Sequence, residues 1–263
     1  MAQAEAAPVL VDRADGIVTI TINRPRVKNA INGAAWDILG STFTSLTGDD
    51  SVRAVVITGA GDAFSAGADL SGQRADGHPL DSMRGVNRIA KALYDLPKPT
   101  VAKVPGVAVG AGWNLALCCD LVVASSTARF SQIFAKRGMS LDFGGSWLLP
   151  RLVGLQQAKR LALLADFVDA EEARAMGLVT WVVEPDKLDA FTDDVVARLV
   201  AGPPVALAQS KELLNAGIDS SFAQALESEA RTQTINFAGS DAAAARQAFA
   251  EKRDPEFTGR WGQ

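Results

Sequence analysis

The pattern that most limits the fold is an order of strand, strand, helix through about the first 185 residues, replaced by helix alone from Asp186 onward. Residues 16–22 (GIVTITI) alternate, with Val18, Ile20 and Ile22 on one face, as a strand does. Residues 32–47 read as a helix that Asn32 can cap, with Trp36, Leu39, Phe43 and Leu46 at helical spacing. The run 53–58 (RAVVIT) is a short buried strand leading into Gly59-Ala60-Gly61. A polar, glycine-containing stretch from Ser71 to Leu80 precedes a helix predicted over 81–96, with Met83, Val86, Ile89, Leu93 and Leu96 turned inward. Thr100 to Val109 is a strand region interrupted by Pro105. Gly110-Ala111-Gly112 then opens a short apolar helix ending near Cys119, and Leu121 to Ala124 is a strand again. Later, Pro203 and Pro204 start one helix and residues 219–237 make another. The layout expected is an α/β core over residues 1–200 and a helical region over 201–263. No repeat of fixed period shows in the sequence.

Composition narrows the function. At 263 residues the chain can bury a substantial core. A net charge of −4 argues against nucleic acid as the main partner, while leaving room for a local basic patch that meets a phosphorylated ligand. No apolar run is long enough for a membrane span: the window Val101 to Val123 holds Lys103, Pro105, Asn114 and Asp120. The start MAQAEAAPVL lacks a secretory pattern, and the two cysteines, Cys118 and Cys119, are adjacent and read as buried thiols. A cytoplasmic location is therefore expected. The single histidine, His78, has no soft ligand near it and reads as a solvent-facing loop residue, so no metal site is expected.

Two segments can bring backbone amides to a ligand: Ser65-Ala66-Gly67-Ala68-Asp69-Leu70 and Gly110-Ala111-Gly112-Trp113-Asn114. Small residues allow close approach, and a helix start leaves N–H groups without partners. Two such amides aimed at one carbonyl oxygen form an oxyanion hole. The plainer reading is a pair of tight turns. A dinucleotide site is disfavoured: Leu115 stands where the third glycine of the fingerprint belongs, and no acidic residue follows about 20 residues on.

The chain resembles the enoyl-CoA hydratase/isomerase (crotonase) family over essentially its full length. The match is carried by Ile22-Asn23-Arg24-Pro25-Arg26-Val27-Lys28-Asn29-Ala30, Phe64 to Leu70, Pro105 to Gly112, Cys119-Asp120, and Gly144-Gly145-Ser146-Trp147-Leu148-Leu149-Pro150-Arg151. The resemblance implies a spiral of ββα turns, a helical C-terminal trimerisation region and acyl-CoA thioester substrates. It places the oxyanion-hole amides on Ala68 and Ala111. It implies no tightly bound cofactor, coenzyme A entering as part of the substrate.

The resemblance also shows a departure. Hydratases of the family use two glutamates, and Asn114 and Phe134 occupy those places. Neither side chain can exchange a proton near neutral pH. Asn114 either donates to substrate or water, or fills the vacated space and satisfies a neighbouring backbone group. Phe134 is expected to line the pocket with Phe143 and Trp113. A third acidic position remains in Asp142, ahead of the double glycine, where some family members that shift double bonds or rearrange ring-derived esters carry an acid. It also matches the nucleophile position of aryl-CoA dehalogenases, whose further aromatic set is incomplete here, with Phe134 where a tryptophan is expected. The competing role for Asp142 is a helix cap or turn.

For coenzyme A, the resemblance points to the basic loop of Arg24, Arg26 and Lys28, with Val27 and Ala30, and to main-chain contacts from Ala66, Asp69 and Leu70. Asp120 reads as a helix-end residue, and Lys252 and Arg253 as a possible reach toward a neighbouring subunit's ligand. The leading expectation is an enoyl-CoA isomerase with Asp142 as the proton shuttle. The alternatives are an enoyl-CoA hydratase and a non-catalytic acyl-CoA-binding protein. The apolar Phe222, Leu226, Phe237 and Phe249 of the helical region point to an interface, and the resemblance implies a homotrimer or hexamer.

Overall fold

A hairpin of β1 (Val9–Ala14) and β2 (Ile17–Ile22) opens the fold in the computed structural model, which describes residues 7–71 and 78–260. Asp15 and Gly16 both have positive φ, 51° and 77°, the turn geometry that suits the twist of a tight hairpin. The 3-10 turn Pro25–Val27 leads to α1 (Gly33–Leu46), whose Asn32 cap accepts from the Ala35 amide at 3.0 Å. Then come β3 (Ala54–Gly59), β4 (Ala63–Ser65) and α2 (Pro79–Tyr94). The next turn of chain supplies β5 (Thr100–Val104), β6 (Val107–Val109) and α3 (Ala111–Leu117). The third supplies β7 (Leu121–Ser125), β8 (Arg129–Ser131), a 3-10 turn Ile133–Arg137 and α4 (Gly145–Leu164).

These three turns share one logic. The first strand of each joins a six-stranded sheet in the order β1-β2-β3-β5-β7-β10, and the second joins a four-stranded sheet in the order β4-β6-β8-β9. Here β9 is Val168–Asp169 and β10 is Trp181–Val183, with α5 (Ala170–Ala175) between them. Pairing from β2 to β10 in the large sheet is parallel. This is the expected spiral of ββα units. Its helices lie on one side, where Phe43, Leu39 and Leu93 meet Val55 and Ile57 in one core. The other face is covered by α6 (Leu188–Ala201), whose Leu188, Val195 and Val196 pack on Ala54, Val56, Val101 and Val123. Burial on both faces explains why RAVVIT is apolar without alternation.

Beyond α6 the chain is helical: α7 (Pro204–Gly217), α8 (Phe222–Ala238) and α9 (Ser240–Glu251). The predicted helix at 219–237 begins later, at Phe222, because Ser221 and Gln224 form a capping box there. At α2 two details differ from expectation. Met83, expected inward, is 39% exposed, and of the inward set on α2 only Leu93 is fully buried within the helix. His78 is exposed but caps α2, its Nδ1 accepting from the Leu80 amide. α4 bends at Gly154, whose φ of 73° leaves the helical region. The stretch expected as a loop at 72–77 lies outside the described residues. Among the described residues no helix is long and apolar enough to cross a membrane.

Candidate active site

The small sheet builds the site because β4, β6 and β8 run parallel and end side by side. Past β4 come Gly67 and Ala68, past β6 come Gly110 and Ala111, and past β8 come Gln132 and Phe134. Contact between the first two ends is close. A β-carbon added to Gly67 would stand 2.8 Å from the Val109 carbonyl oxygen and 3.4 Å from the Ala111 amide nitrogen. A β-carbon on Gly112 would stand 2.7 Å from the Ser65 carbonyl oxygen. Glycine at 67 and 112 is thus what lets these two strand ends touch.

The flanking groups tie Ala68 down while leaving its own amide available. The Ile31 amide donates to Gly67 O at 2.8 Å, and the Asp69 amide donates to Ile31 O at 2.9 Å. Neither the Ala68 nor the Ala111 amide donates to a protein acceptor among the described residues. Ala111 is the first residue of α3, so its N–H has no intrahelical partner. Two neighbouring amides with no acceptor can hold a developing oxyanion.

Asp142 is tied to α3 through Asn114, which lies one helical turn on from Ala111. The Asn114 Nδ2 donates to the Asp142 carbonyl at 2.8 Å, and the Gly145 amide donates to the same oxygen at 2.9 Å. The second of these bonds closes a tight turn with positive φ at both central residues, Phe143 (46°) and Gly144 (79°). Positive φ is uncommon for a bulky residue and stores local strain. Burial holds it: Phe143 is wholly buried and stacks on Trp36 at 5.3 Å. The carboxyl itself does neither of the structural jobs considered for it. It makes no cap bond to α4, whose cap is Gly144, and Oδ1 is buried without a hydrogen-bond partner. Desolvation raises its pKa from 3.8 to about 6.

Of the two aromatic side chains expected beside Phe134 in the lining, both belong to the core instead. Trp113 and Phe143 are each 0% exposed, Trp113 packing on Phe130. A helix of seven residues seated on β4 turns Trp113 inward, and the positive φ at residue 143 does the same for Phe143. Phe134 is buried as well, but its ring edge lies 3.6 Å from where a Gly110 β-carbon would be, beside the start of α3.

The basic loop divides in two. Arg24 is engaged internally, donating to Ala30 O and to Asp69 Oδ2, each at 2.6 Å, so it is not the free cation of the expected cluster. The Ser71 hydroxyl and amide, and then Arg24, hold the Asp69 carboxyl down at about 2. Arg26, Val27 and Lys28 are exposed, and Lys28 lies 3.6 Å from Asp62. Lys28 and Asn29 both have positive φ, and the buried Asn29 side chain accepts from the Arg24 amide and donates to Ala60 O and Ala63 O. Asn29 is the residue that shapes this loop. The Ala66 and Asp69 amides are bonded to Lys28 O and Ile31 O, so any ligand contact from these two residues falls to their carbonyls. Ala30 is buried and Leu70 exposed.

Asp120 is structural. Its Oδ2 accepts from the Thr100 amide and hydroxyl and from Lys211 Nζ at 2.9 Å, joining β5 to α7. Arg253 pairs with Glu251, beside the helix-ending Lys252. A cleft of about 1150 Å³ opens between α7 and the core, lined by Tyr94, Trp147 and Lys211 among others, and includes none of the residues expected at the site. Among the described residues no cluster of His, Cys, Asp and Glu could hold a metal ion. Sequence reasoning passed over Gln132, which is wholly buried and donates from Nε2 to Asn114 Oδ1 at 2.9 Å.

Known proteins share this fold and much of this sequence. Residues 12–260 match the family model described as enoyl-CoA hydratase/isomerase. A Rhodobacter capsulatus protein named probable enoyl-CoA hydratase is 39% identical over 249 residues, covering 94% of this chain and 96% of its own. The 1,2-epoxyphenylacetyl-CoA isomerase of Escherichia coli is 35% identical over 251 residues, covering 93% and 96%. A crystal structure of enoyl-CoA hydratase from Mycobacterium smegmatis superposes with a TM-score of 0.89 at 36% identity, covering 95% of this chain and 98% of that one. With the spiral, the paired strand ends and these matches in agreement, the chain belongs to the enoyl-CoA hydratase/isomerase family.

Proposed function

We propose that this enzyme moves a double bond in an enoyl-CoA thioester, with Asp142 as its proton shuttle. The observation that carries the reading is a half-buried carboxyl with an unpartnered oxygen, on a residue whose main-chain carbonyl is held by Asn114, itself one helical turn along α3 from Ala111. The ionised Asp142 takes a proton from the α-carbon of a 3-enoyl thioester. The electron pair moves onto the thioester oxygen, and the Ala68 and Ala111 amides hold that charge. The same proton returns at the γ-carbon, so nothing is gained or lost overall. Each amide of such a hole is worth about 3 kcal/mol in the transition state. The acyl-CoA is itself the substrate, with Arg26 and Lys28 as the exposed cations nearest the expected phosphate path and Val27 as its apolar neighbour.

Hydration is the second reading, favoured by the names of relatives such as the Rhodobacter capsulatus probable enoyl-CoA hydratase. It needs a base for water and an acid for the α-carbon, and Asn114 and Phe134 supply neither. The test is to assay the enzyme on trans-3-hexenoyl-CoA and on crotonyl-CoA. Isomerisation is expected to dominate. Its kcat/KM should fall about tenfold per pH unit below about 6, because only the ionised carboxyl accepts a proton. Efficient hydration of crotonyl-CoA with no isomerisation would replace this reading. Tight CoA binding with turnover of neither ester would favour a binding protein.

The assembly belongs to the same reading. Phe222, Phe237 and Phe249 are 80%, 63% and 87% exposed on α8 and α9. Large apolar side chains gathered on one set of helices mark an interface, and a homotrimer or a hexamer is proposed. Light scattering at micromolar concentration should give three or six times the mass of the chain. A monomer would refute the assembly without touching the chemistry.

A further inference from the structure

We propose that Gln132 is a positioning residue: acting through Asn114, it fixes the turn that carries Asp142 and so holds that carboxyl in line with the reacting carbons. The inference rests on Asp142 being the base. Its ground is a chain of buried polar groups whose direction chemistry dictates.

A backbone carbonyl can only accept, so the Asp142 carbonyl requires the NH2 end of the Asn114 amide, which it meets at 2.8 Å. That turns Asn114 Oδ1 to the other side, where it must find a donor. Gln132 Nε2 fills that need at 2.9 Å. Both amides are wholly buried, so water cannot stand in for a lost partner at low cost. The contact is also tight. A β-carbon on Gly145 would stand 2.4 Å from Asn114 Nδ2, so the second of the twin glycines is pressed against this side chain.

The turn needs such a hold. Phe143 sits at a φ of 46°, a conformation a bulky residue does not keep unaided. Phe143 packing anchors the turn from the core side, and Asn114 anchors it from α3. Gln132 at the end of β8 is the last element, tying the third parallel strand end to the other two. Among the described residues, no charged side chain bonds to Gln132, Asn114 or the Asp142 carboxyl, so the chain is neutral up to the one group that must ionise.

Two variants separate positioning from simple stability. Gln132→Met keeps the length and removes the donor. Its kcat on trans-3-hexenoyl-CoA should fall about 10²-fold with KM within about twofold, since misplacement by an ångström can cost that much. Gln132→Glu gives a sharper signature. When protonated it can still donate to Asn114; when ionised it cannot, and it adds a negative charge. Wild-type rate should rise with pH and level off. The Gln132→Glu rate should be bell-shaped, or depressed throughout if the buried glutamic acid ionises before Asp142 does.

Circular dichroism and thermal melts establish that each variant is folded. Should Gln132→Met not fold, the Gln132→Glu profile decides. A folded Gln132→Met enzyme with wild-type kcat, or a Gln132→Glu profile with the wild-type plateau, overturns the proposal. An Asp142→Asn control distinguishes the two levels. Full turnover there means the base is misassigned; loss there with undisturbed Gln132 variants means only that Gln132 does not position it.

Discussion

Asp142→Asn should abolish isomerisation and at the same time make the protein more stable. Loss of the proposed proton shuttle is expected to lower kcat by about 10²–10⁴-fold, the usual range for general acid–base help. The gain in stability follows from the same burial that tunes the group. Its pKa is 3.8 ordinarily and about 6 in the folded chain. Between these values the folded chain holds a proton that the unfolded chain has released. Stability therefore falls as pH rises through that window, and above about 6 the full cost of the buried charge persists. At 1.36 kcal/mol per unit the cost is roughly 3 kcal/mol. Asparagine carries no charge but still places an amide in the same half-buried spot, so the net gain is expected to be about 1–2 kcal/mol. Urea denaturation at pH 4 and pH 7.5 checks it: the variant's advantage should be small at the lower pH and largest at the higher. Equal stability at both, with turnover intact, would mean the carboxyl neither ionises at a cost nor catalyses.

Much of the spiral was legible because each strand that is buried on both faces is apolar throughout, and each helix that follows carries its own stop or cap. Asn32, Gly110 and Pro204 mark their helices in the sequence as they do in the structure. The repetition itself was not legible. The large-sheet strands of the three turns begin at residues 54, 100 and 121, intervals too unequal for any fixed period. β1 was missed since only Val9 of its six residues is buried; the Asp15-Gly16 turn was the available signal.

At the site, the glycines announced where backbones would meet, and the resemblance singled out Asp142. Side-chain direction was the part that could not be read. Phe143 and Trp113 sit in glycine-rich segments, where an aromatic ring can face a ligand or the core with the same neighbours in sequence. Only the positive φ at residue 143 and the seating of α3 decide for the core. Arg24 shows the same limit: its partner Asp69 is 45 residues away, so a cation that looked free proves to be tied. Gln132 was invisible for a related reason, because its partner Asn114 precedes it by 18 residues on a different element.

Gly67→Ala should cost the enzyme its oxyanion hole. The added methyl would fall 2.8 Å from the Val109 carbonyl oxygen, which cannot move without disturbing the β6 end. The β4 end must then shift outward, carrying the Ala68 amide away from the Ala111 amide. Removing one donor from such a hole typically lowers kcat by about 10²–10³-fold. The substitution also meets an unfavourable backbone, since φ at Gly67 is +83° and a side chain there costs about 1–2 kcal/mol. Gly61→Ala separates these effects. Gly61 lies on the same β3–β4–Ala68 segment with a similar φ of +75°, but its added methyl would meet only the Pro25 side chain, at 3.6 Å. It should lose comparable stability and keep its turnover. If instead Gly67→Ala retains wild-type kcat while Asp142→Asn is inactive, the enolate charge is held by groups other than these two amides. If both glycine variants lose activity alike, the loss comes from backbone strain, and the closeness of the β4 and β6 ends is not what the chemistry requires.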